Sequence, residues 1–218
     1  MKIYVEGNIG AGKSTFVNFL RKTYGEQYSF ILEPVDTWTS YVDNSGKNLL
    51  DNFYRDGPRW CYTFQMAAFM TRIRDIQRQE RSDGDKSMII ERSIYSDRNC
   101  FAELGYKNGT MNDMEWAIYN DWFNWLTEEF KTTIEADLVI YLQCPPETCA
   151  KRICKRNRAE ECSIPLEYLT GLHERHEDMI KRYKERGVPV IVVDATRDIK
   201  SDGDYFKNIL TKLPTRTT

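Results

Sequence analysis

The sequence predicts an α/β fold, a five-stranded parallel sheet flanked by helices. Two observations lead there. Five short β-rich apolar runs, at residues 2–6, 28–33, 87–91, 137–143 and 188–194, alternate with stretches of helical periodicity. Apolar runs joined through helices belong to a parallel sheet covered on both faces. The second observation is Gly7-Asn8-Ile9-Gly10-Ala11-Gly12-Lys13-Ser14, which fills every fixed position of the phosphate-binding loop G-x-x-x-x-G-K-[ST].

That loop lies between the strand at 2–6 and a helical pattern over 14–22, with apolar Phe16, Val17, Phe19 and Leu20. Its glycines let successive N–H groups turn toward one phosphate, which then sits on a helix N-terminus where the dipole favours negative charge. Residues Gly7 to Ser14, with Thr15, are the expected phosphate cradle. Lys13 supplies a point charge to the β/γ-phosphates, and the Ser14 hydroxyl can ligate Mg²⁺.

After the strand at 28–33, stopped by Pro34, helices are expected over 47–54 and 58–81, the second opening on Pro58. A turn at 82–85 leads into the strand at 87–91. Helical patterns follow over 94–104 and 112–131. The strand at 137–143 stops at Pro145-Pro146, a helix spans 147–156, and a longer one covers 165–186 before the last strand. With no internal repeat or low-complexity linker, the 218 residues read as one domain with a lid at about 152–161.

A net charge of −2 argues against a general nucleic-acid binder. No run approaches the roughly 18 apolar residues of a membrane span. The first strand starts at residue 2, leaving no room ahead of it for a targeting segment, so a cytoplasmic location is expected. The six cysteines, Cys61, Cys100, Cys144, Cys149, Cys154 and Cys162, show no C-x-x-C or zinc spacing and read as reduced thiols, several of them buried. His173 and His176 sit one turn apart among charged residues, which reads as a solvated helix face rather than a metal pair.

Chemistry beside the loop comes from strand ends, where open α/β sheets bind ligands. Glu33, Glu91 and Asp194 follow three of the apolar runs. Glu33 and Glu91 are candidates for orienting an acceptor and for the metal site. Arg92 and the series Arg152, Arg156 and Arg158 can neutralise a moving phosphoryl group. A basic run at a helix end can also be a solvated cap, but three arginines followed by Glu160-Glu161 suit a lid closing over a triphosphate.

Four blocks then carry a family resemblance: Glu33-Pro34-Val35-Asp36-Thr37-Trp38, Thr63-Phe64-Gln65, Glu91-Arg92-Ser93-Ile94-Tyr95-Ser96-Asp97-Arg98 and Ile164-Pro165-Leu166-Glu167-Tyr168-Leu169. They resemble the deoxyribonucleoside kinases, in order, from the phosphate loop to about Asp198. The resemblance implies a P-loop kinase with an arginine-rich lid, a homodimer, and transfer of a phosphoryl group from ATP or another nucleoside triphosphate, with Mg²⁺, to a deoxynucleoside 5′-OH. It makes Glu33 the base for that hydroxyl, Arg92 the arginine on the hydroxyl and the transferred phosphoryl, and Glu91 an acid near the metal beside Ser14. Tyr54 and Glu161 take the sugar 3′-OH, Gln65 the base edge, Trp38 and Phe64 the slot around the base, and Phe101 the ring stacked on it. Arg152, Arg156 and Arg158 match the lid pattern, and Asp194 to Ile199, with Asp198, looks like the loop around the donor base.

Within that family, base choice follows the positions of Arg72 and Asp97, and a charged pair there resembles the cytidine- and purine-accepting members. Such a pair would crowd a thymine methyl while offering hydrogen bonds to polar base edges. A structural salt bridge is the plainer alternative, and a thymidine-preferring or multisubstrate kinase stays open. Two rival functions are disfavoured. A nucleoside monophosphate kinase would have Glu33 repelling its acceptor phosphate, and a GTP-driven switch would need the N-K-x-D motif that is missing here.

Overall fold

The computed structural model describes residues 1–161, 164–199 and 201–211, so Cys162 lies outside the described residues. Its centre is a five-stranded sheet of β1 (Lys2–Glu6), β2 (Tyr28–Ile31), β3 (Ser87–Glu91), β4 (Leu138–Gln143) and β5 (Val190–Asp194). The strand order is β2-β3-β1-β4-β5 and every pair is parallel. Ile3 of β1 stands in register between Ile89 of β3 and Leu138 of β4. All three are buried, as parallel strands covered on both faces require.

The covering helices run in chain order as α1 (Lys13–Tyr24), α2 (Val35–Ser40), α3 (Leu49–Arg55), α4 (Gly57–Asp83), α5 (Ile94–Ser96), α6 (Glu103–Lys107), α7 (Asp113–Glu129), α8 (Lys131–Ile134), α9 (Pro146–Arg156), α10 (Leu166–Glu185) and α11 (Gly203–Leu210). Phe16, Val17 and Leu20 bury one face of α1 against the sheet, as their spacing predicts. A second apolar cluster lies away from the sheet. Trp38, Leu50, Phe53, Phe64, Phe69, Ile73 and Tyr119 pack α2, α3, α4 and α7 together. This cluster builds the wall that faces the strand ends.

Several boundaries differ from expectation. β2 stops at Ile31, so Glu33 sits past the strand, where the Val35 N–H donates to its carbonyl at 2.8 Å. The helix expected over 94–104 is interrupted by a π-helical turn, Asp97–Ala102, between α5 and α6. The apolar pattern continues across a π-turn, which is why periodicity cannot see it. The helix expected over 112–131 opens on a capping box of Asn112 and Glu115 and breaks at Phe130 before α8. The helices α2 and α11 were not expected. The first is a single short stretch after Pro34, too brief to show a period.

Cys61, Cys100, Cys144 and Cys149 are buried free thiols and Cys154 is an exposed one, in line with the reading as reduced thiols.

Candidate active site

The loop between β1 and α1 is shaped by its glycines. Gly12 has φ 97°, a left-handed conformation at the N-cap of α1. Gly10 has φ 79°, and a Cβ there would lie 2.5 Å from the Cys149 carbonyl of α9. Only glycine lets α9 pack this closely against the loop. Asn8 braces it from the other side, accepting from the Ile9 N–H at 2.8 Å and donating to the Leu169 carbonyl at 2.8 Å. The Lys13 ammonium is buried and donates to the Asn8 carbonyl at 2.9 Å. Burial, then the neighbouring Arg92 charge, lower its pKa to about 8 against the opposing pull of Glu33, Glu91 and Glu6.

A cavity of about 660 Å³ opens at the C-terminal ends of β1, β2 and β3. Residues Ile9 to Thr15 of the loop line it, with Glu33, Glu91, Arg92, Arg72 and Asp97 deeper in. Gly7 and Asn8 support the loop from beneath rather than lining the cavity. The Ser14 hydroxyl donates to Glu91 Oε1 at 2.7 Å.

Glu33 is the hub of the charges. Its Oε1 accepts from Arg72 at 2.6 Å and from Arg92 Nε at 3.2 Å. Burial pushes its pKa up, but Arg92, Arg72 and Lys13 outweigh burial and hold the carboxyl well below the usual range. Arg72 also donates through Nε to Asp97 Oδ2 at 2.7 Å and through Nη1 to the Glu91 carbonyl at 3.2 Å. Burial disfavours the Arg72 charge, yet Asp97 and Glu33 more than compensate and raise its pKa. The expected Arg72–Asp97 pair therefore exists, and it extends to Glu33.

The far wall is apolar. Phe53 and Phe64 stack at 4.4 Å, Trp38 meets Phe64 edge-on at 5.1 Å, and the Trp38 indole N–H donates to Thr71 at 3.0 Å. Tyr54 and Phe101 complete the rim, and the Arg92 guanidinium lies 4.6 Å over the Phe101 ring. In this wall Gln65 is buried with both amide atoms unpartnered. An amide buried without partners costs free energy unless a ligand satisfies it.

The lid residues reach the cavity in two ways. Arg152 donates to the Ala11 carbonyl at 3.2 Å and toward Thr196 and Arg197. Arg156 and Arg158 both pair with Glu161, the latter at 2.6 Å, so here they hold the expected sugar ligand rather than the phosphate loop. Asp198 lines the donor end of the cavity.

The reading of the two histidines as a solvated face needs correction. His173 is partly exposed near Glu177, but His176 has no exposed surface and touches Arg92. α10 turns that position inward with Leu169, Leu172 and Met179. Sequence reasoning missed Phe53 and Phe206 in the cavity wall. Phe206 sits on the unexpected α11.

A phosphate loop feeding a cavity that also holds an ion-paired carboxylate and an unsatisfied amide brings a donor and a polar acceptor together. Fold and site thus define a P-loop phosphotransferase. Comparison with known proteins narrows the class. The deoxynucleoside kinase family model matches residues 3–217. The chain is 38% identical to human (Homo sapiens) deoxycytidine kinase, covering 97% of this chain and 89% of that protein. It is 38% identical to deoxycytidine kinase 2 of Gallus gallus, over 92% and 84% of the two chains. Identity to the mitochondrial deoxyguanosine kinase of Xenopus laevis is 35%, over 95% and 87%. The chain belongs to the deoxynucleoside kinase family. It is an enzyme that moves a phosphoryl group from a nucleotide donor to a deoxynucleoside.

Proposed function

We propose that the acceptor is deoxycytidine or a purine deoxynucleoside rather than thymidine, phosphorylated on its 5′-OH with ATP as donor. The observation that carries this is the unsatisfied Gln65 amide beside the buried Arg72–Asp97 pair. An amide pairs with the donor–acceptor edge of cytosine or adenine. Asp97, an acceptor only, suits an exocyclic amine and opposes the carbonyl that thymine presents instead. The same names stand on the relatives, two deoxycytidine kinases and a deoxyguanosine kinase.

In the proposed reaction the donor phosphates lie on the Ile9–Ser14 backbone and Lys13, with Arg152, Arg156 and Arg158 closing from the lid. Glu33 orients the 5′-OH. Its strongly lowered pKa makes it a weak base. In a loose transition state the hydroxyl proton leaves late, so positioning matters more than basicity. Arg92 neutralises charge on the moving phosphoryl, while Tyr54 and Glu161 take the 3′-OH. Ser14 and Glu91 offer two hard oxygen donors beside the phosphate loop, which fits Mg²⁺. Mg²⁺ held there would neutralise the β/γ-phosphate oxygens. Among the described residues no group of three or more His, Cys, Asp or Glu could hold a metal by itself, so the phosphates would complete its shell.

The proposal extends to one 1–218 domain, a cytoplasmic homodimer and no nucleic-acid or membrane partner. No described helix is long and apolar enough to cross a membrane. ADP release measured with deoxycytidine, deoxyadenosine, deoxyguanosine, thymidine and dTMP tests the reading. Fastest turnover on deoxycytidine or a purine deoxynucleoside is expected. Thymidine or dTMP as the best acceptor would overturn it.

A further inference from the structure

One buried titratable group stands behind the site without touching the cavity. His176 has no exposed surface, and its Nδ1 lies 2.6 Å from the Leu172 carbonyl one turn earlier on α10. A carbonyl only accepts, so Nδ1 carries the proton. Its Nε2 lies 3.2 Å from Arg92 Nη1, and a guanidinium only donates. Both partners therefore select the neutral Nδ1–H tautomer with its lone pair aimed at Arg92. Burial and then the Arg92 charge lower the imidazole pKa, which agrees with that state. The ring plane is held by Tyr141, stacked at 6.5 Å, and by Phe101, edge-on at 6.3 Å.

We propose that His176 is a positioning residue for phosphoryl transfer, a neutral acceptor that fixes the Arg92 guanidinium in line with Glu33. The inference rests on the role assigned to Arg92 above. Arg92 follows directly on β3 with φ 66°, a left-handed backbone rare for a side chain this large, so its course is set from the first bond. From there the guanidinium is held from two sides, by Glu33 through Nε and by His176 through Nη1. A second carboxylate in place of His176 would also orient it, but would cancel charge needed for the phosphoryl oxygens. An imidazole lone pair supplies direction without subtracting charge. The tether from the Leu172 carbonyl through His176 to Arg92 also ties the site to α10, on which Leu169 accepts from Asn8 of the phosphate loop.

Three variants test this, assayed as full-length protein with whichever acceptor the substrate panel shows to be fastest. His176→Gln places an amide oxygen near the Nε2 position, whereas His176→Asn reaches only as far as Nδ1. His176→Phe keeps a ring and offers no acceptor. The Asn and Phe variants should lose roughly 10–100-fold in kcat, the range of a hydrogen bond to a charged group, with KM for both substrates nearly unchanged. His176→Gln should stay within about threefold of wild type. A merely structural histidine would shift the melting temperature without separating Gln from Asn in kcat. Equal kcat for Gln and Asn would overturn the proposal, even if the Phe variant failed to fold. Arg92→Lys separates the two levels. If it keeps wild-type kcat, the reading of Arg92 fails and the positioning role falls with it. If it is crippled while His176→Asn is fully active, only the positioning role fails. In an Arg92→Lys background, His176→Asn should cost little more, because groups acting as one unit are not additive.

Discussion

Glu33 shows how environment sets a residue's task. Two arginines and Lys13 keep it ionised, so removing its charge should remove the acceptor's anchor without disturbing the donor cradle. Glu33→Gln is expected to lower kcat by about 10²–10⁴-fold with donor affinity retained, as measured by steady-state kinetics and nucleotide titration. Lys13 sets the alkaline side. Its pKa of about 8 means the free enzyme loses that ammonium as pH rises through 8, and donor capture should fall with it. Bound phosphates restore the proton, so kcat for the saturated enzyme should hold further into base than kcat/KM for the donor. A kcat/KM that stays flat to pH ~10, near the ordinary lysine value, would contradict this. Under the proposed function, the Arg72–Asp97 pair governs base choice. Replacing it with Met and Ala should raise thymidine kcat/KM and lower that of deoxycytidine, by roughly 1–3 kcal/mol of discrimination. Each single variant should fare worse, because it leaves a buried charge without its partner. The structure adds one cost: Arg72→Met also takes a hydrogen bond from Glu33, so total turnover should drop in every variant carrying it.

Among the elements, the phosphate loop is the least tolerant of change. Gly10→Ala would combine a φ of 79° with a Cβ 2.5 Å from the Cys149 backbone. Neither obstacle yields by moving a side-chain tip, so loop and α9 would have to separate. A loss of roughly 1–3 kcal/mol in stability is expected in denaturant titration, the usual range for such strain, together with weaker donor binding. The π-turn after α5 matters for a different reason. It carries both Asp97 and Phe101, and both line the cavity. The two residues are four apart and would share a face in a regular helix as well; the inserted π-turn shifts the helix that follows, α6, relative to α5. In the segment proposed as a lid, Glu161 holds Arg156 and Arg158, and the neighbouring carboxylate Glu160 accepts from Asn48.

At the scale of the whole molecule, one face is conspicuously apolar. α7 leaves Met114, Ile118, Trp122 and Trp125 exposed, and Ile118, Trp122 and Trp125 form a shallow depression. Large aromatics gathered on one exposed helix mark a protein interface. This face is the expected contact of the proposed homodimer. A Trp122→Glu/Trp125→Glu variant should sediment as a monomer at concentrations where the unaltered protein is dimeric, and a wild-type monomer would dismiss the dimer.

The amino-acid sequence determined the sheet, because five apolar runs and their intervening helices leave a parallel arrangement as the way to bury both faces. It determined the donor end as well, since the geometry of a phosphate loop is local: glycines, Lys13 and Ser14 act within a few residues of one another. The acceptor end was legible only through its resemblance to a family, because Glu33, Gln65, Arg72, Asp97 and Arg92 come from different elements and no spacing rule joins them. Their partnership was decided by the tertiary structure. Only packing shows that Arg72 links Asp97 to Glu33, or that Gln65 is left without partners. His176 is the sharpest case. In sequence it is one polar residue in a charged helix, and nothing in L-H-E-R-H-E separates it from His173. The orientation of α10 against β4 and the π-turn buries one and leaves the other partly in water. The spacing of Leu169, Leu172, His176, Met179 and Tyr183 does place His176 on the apolar face of α10, a signal that was available; what only packing decides is the group that face brings to it, Arg92.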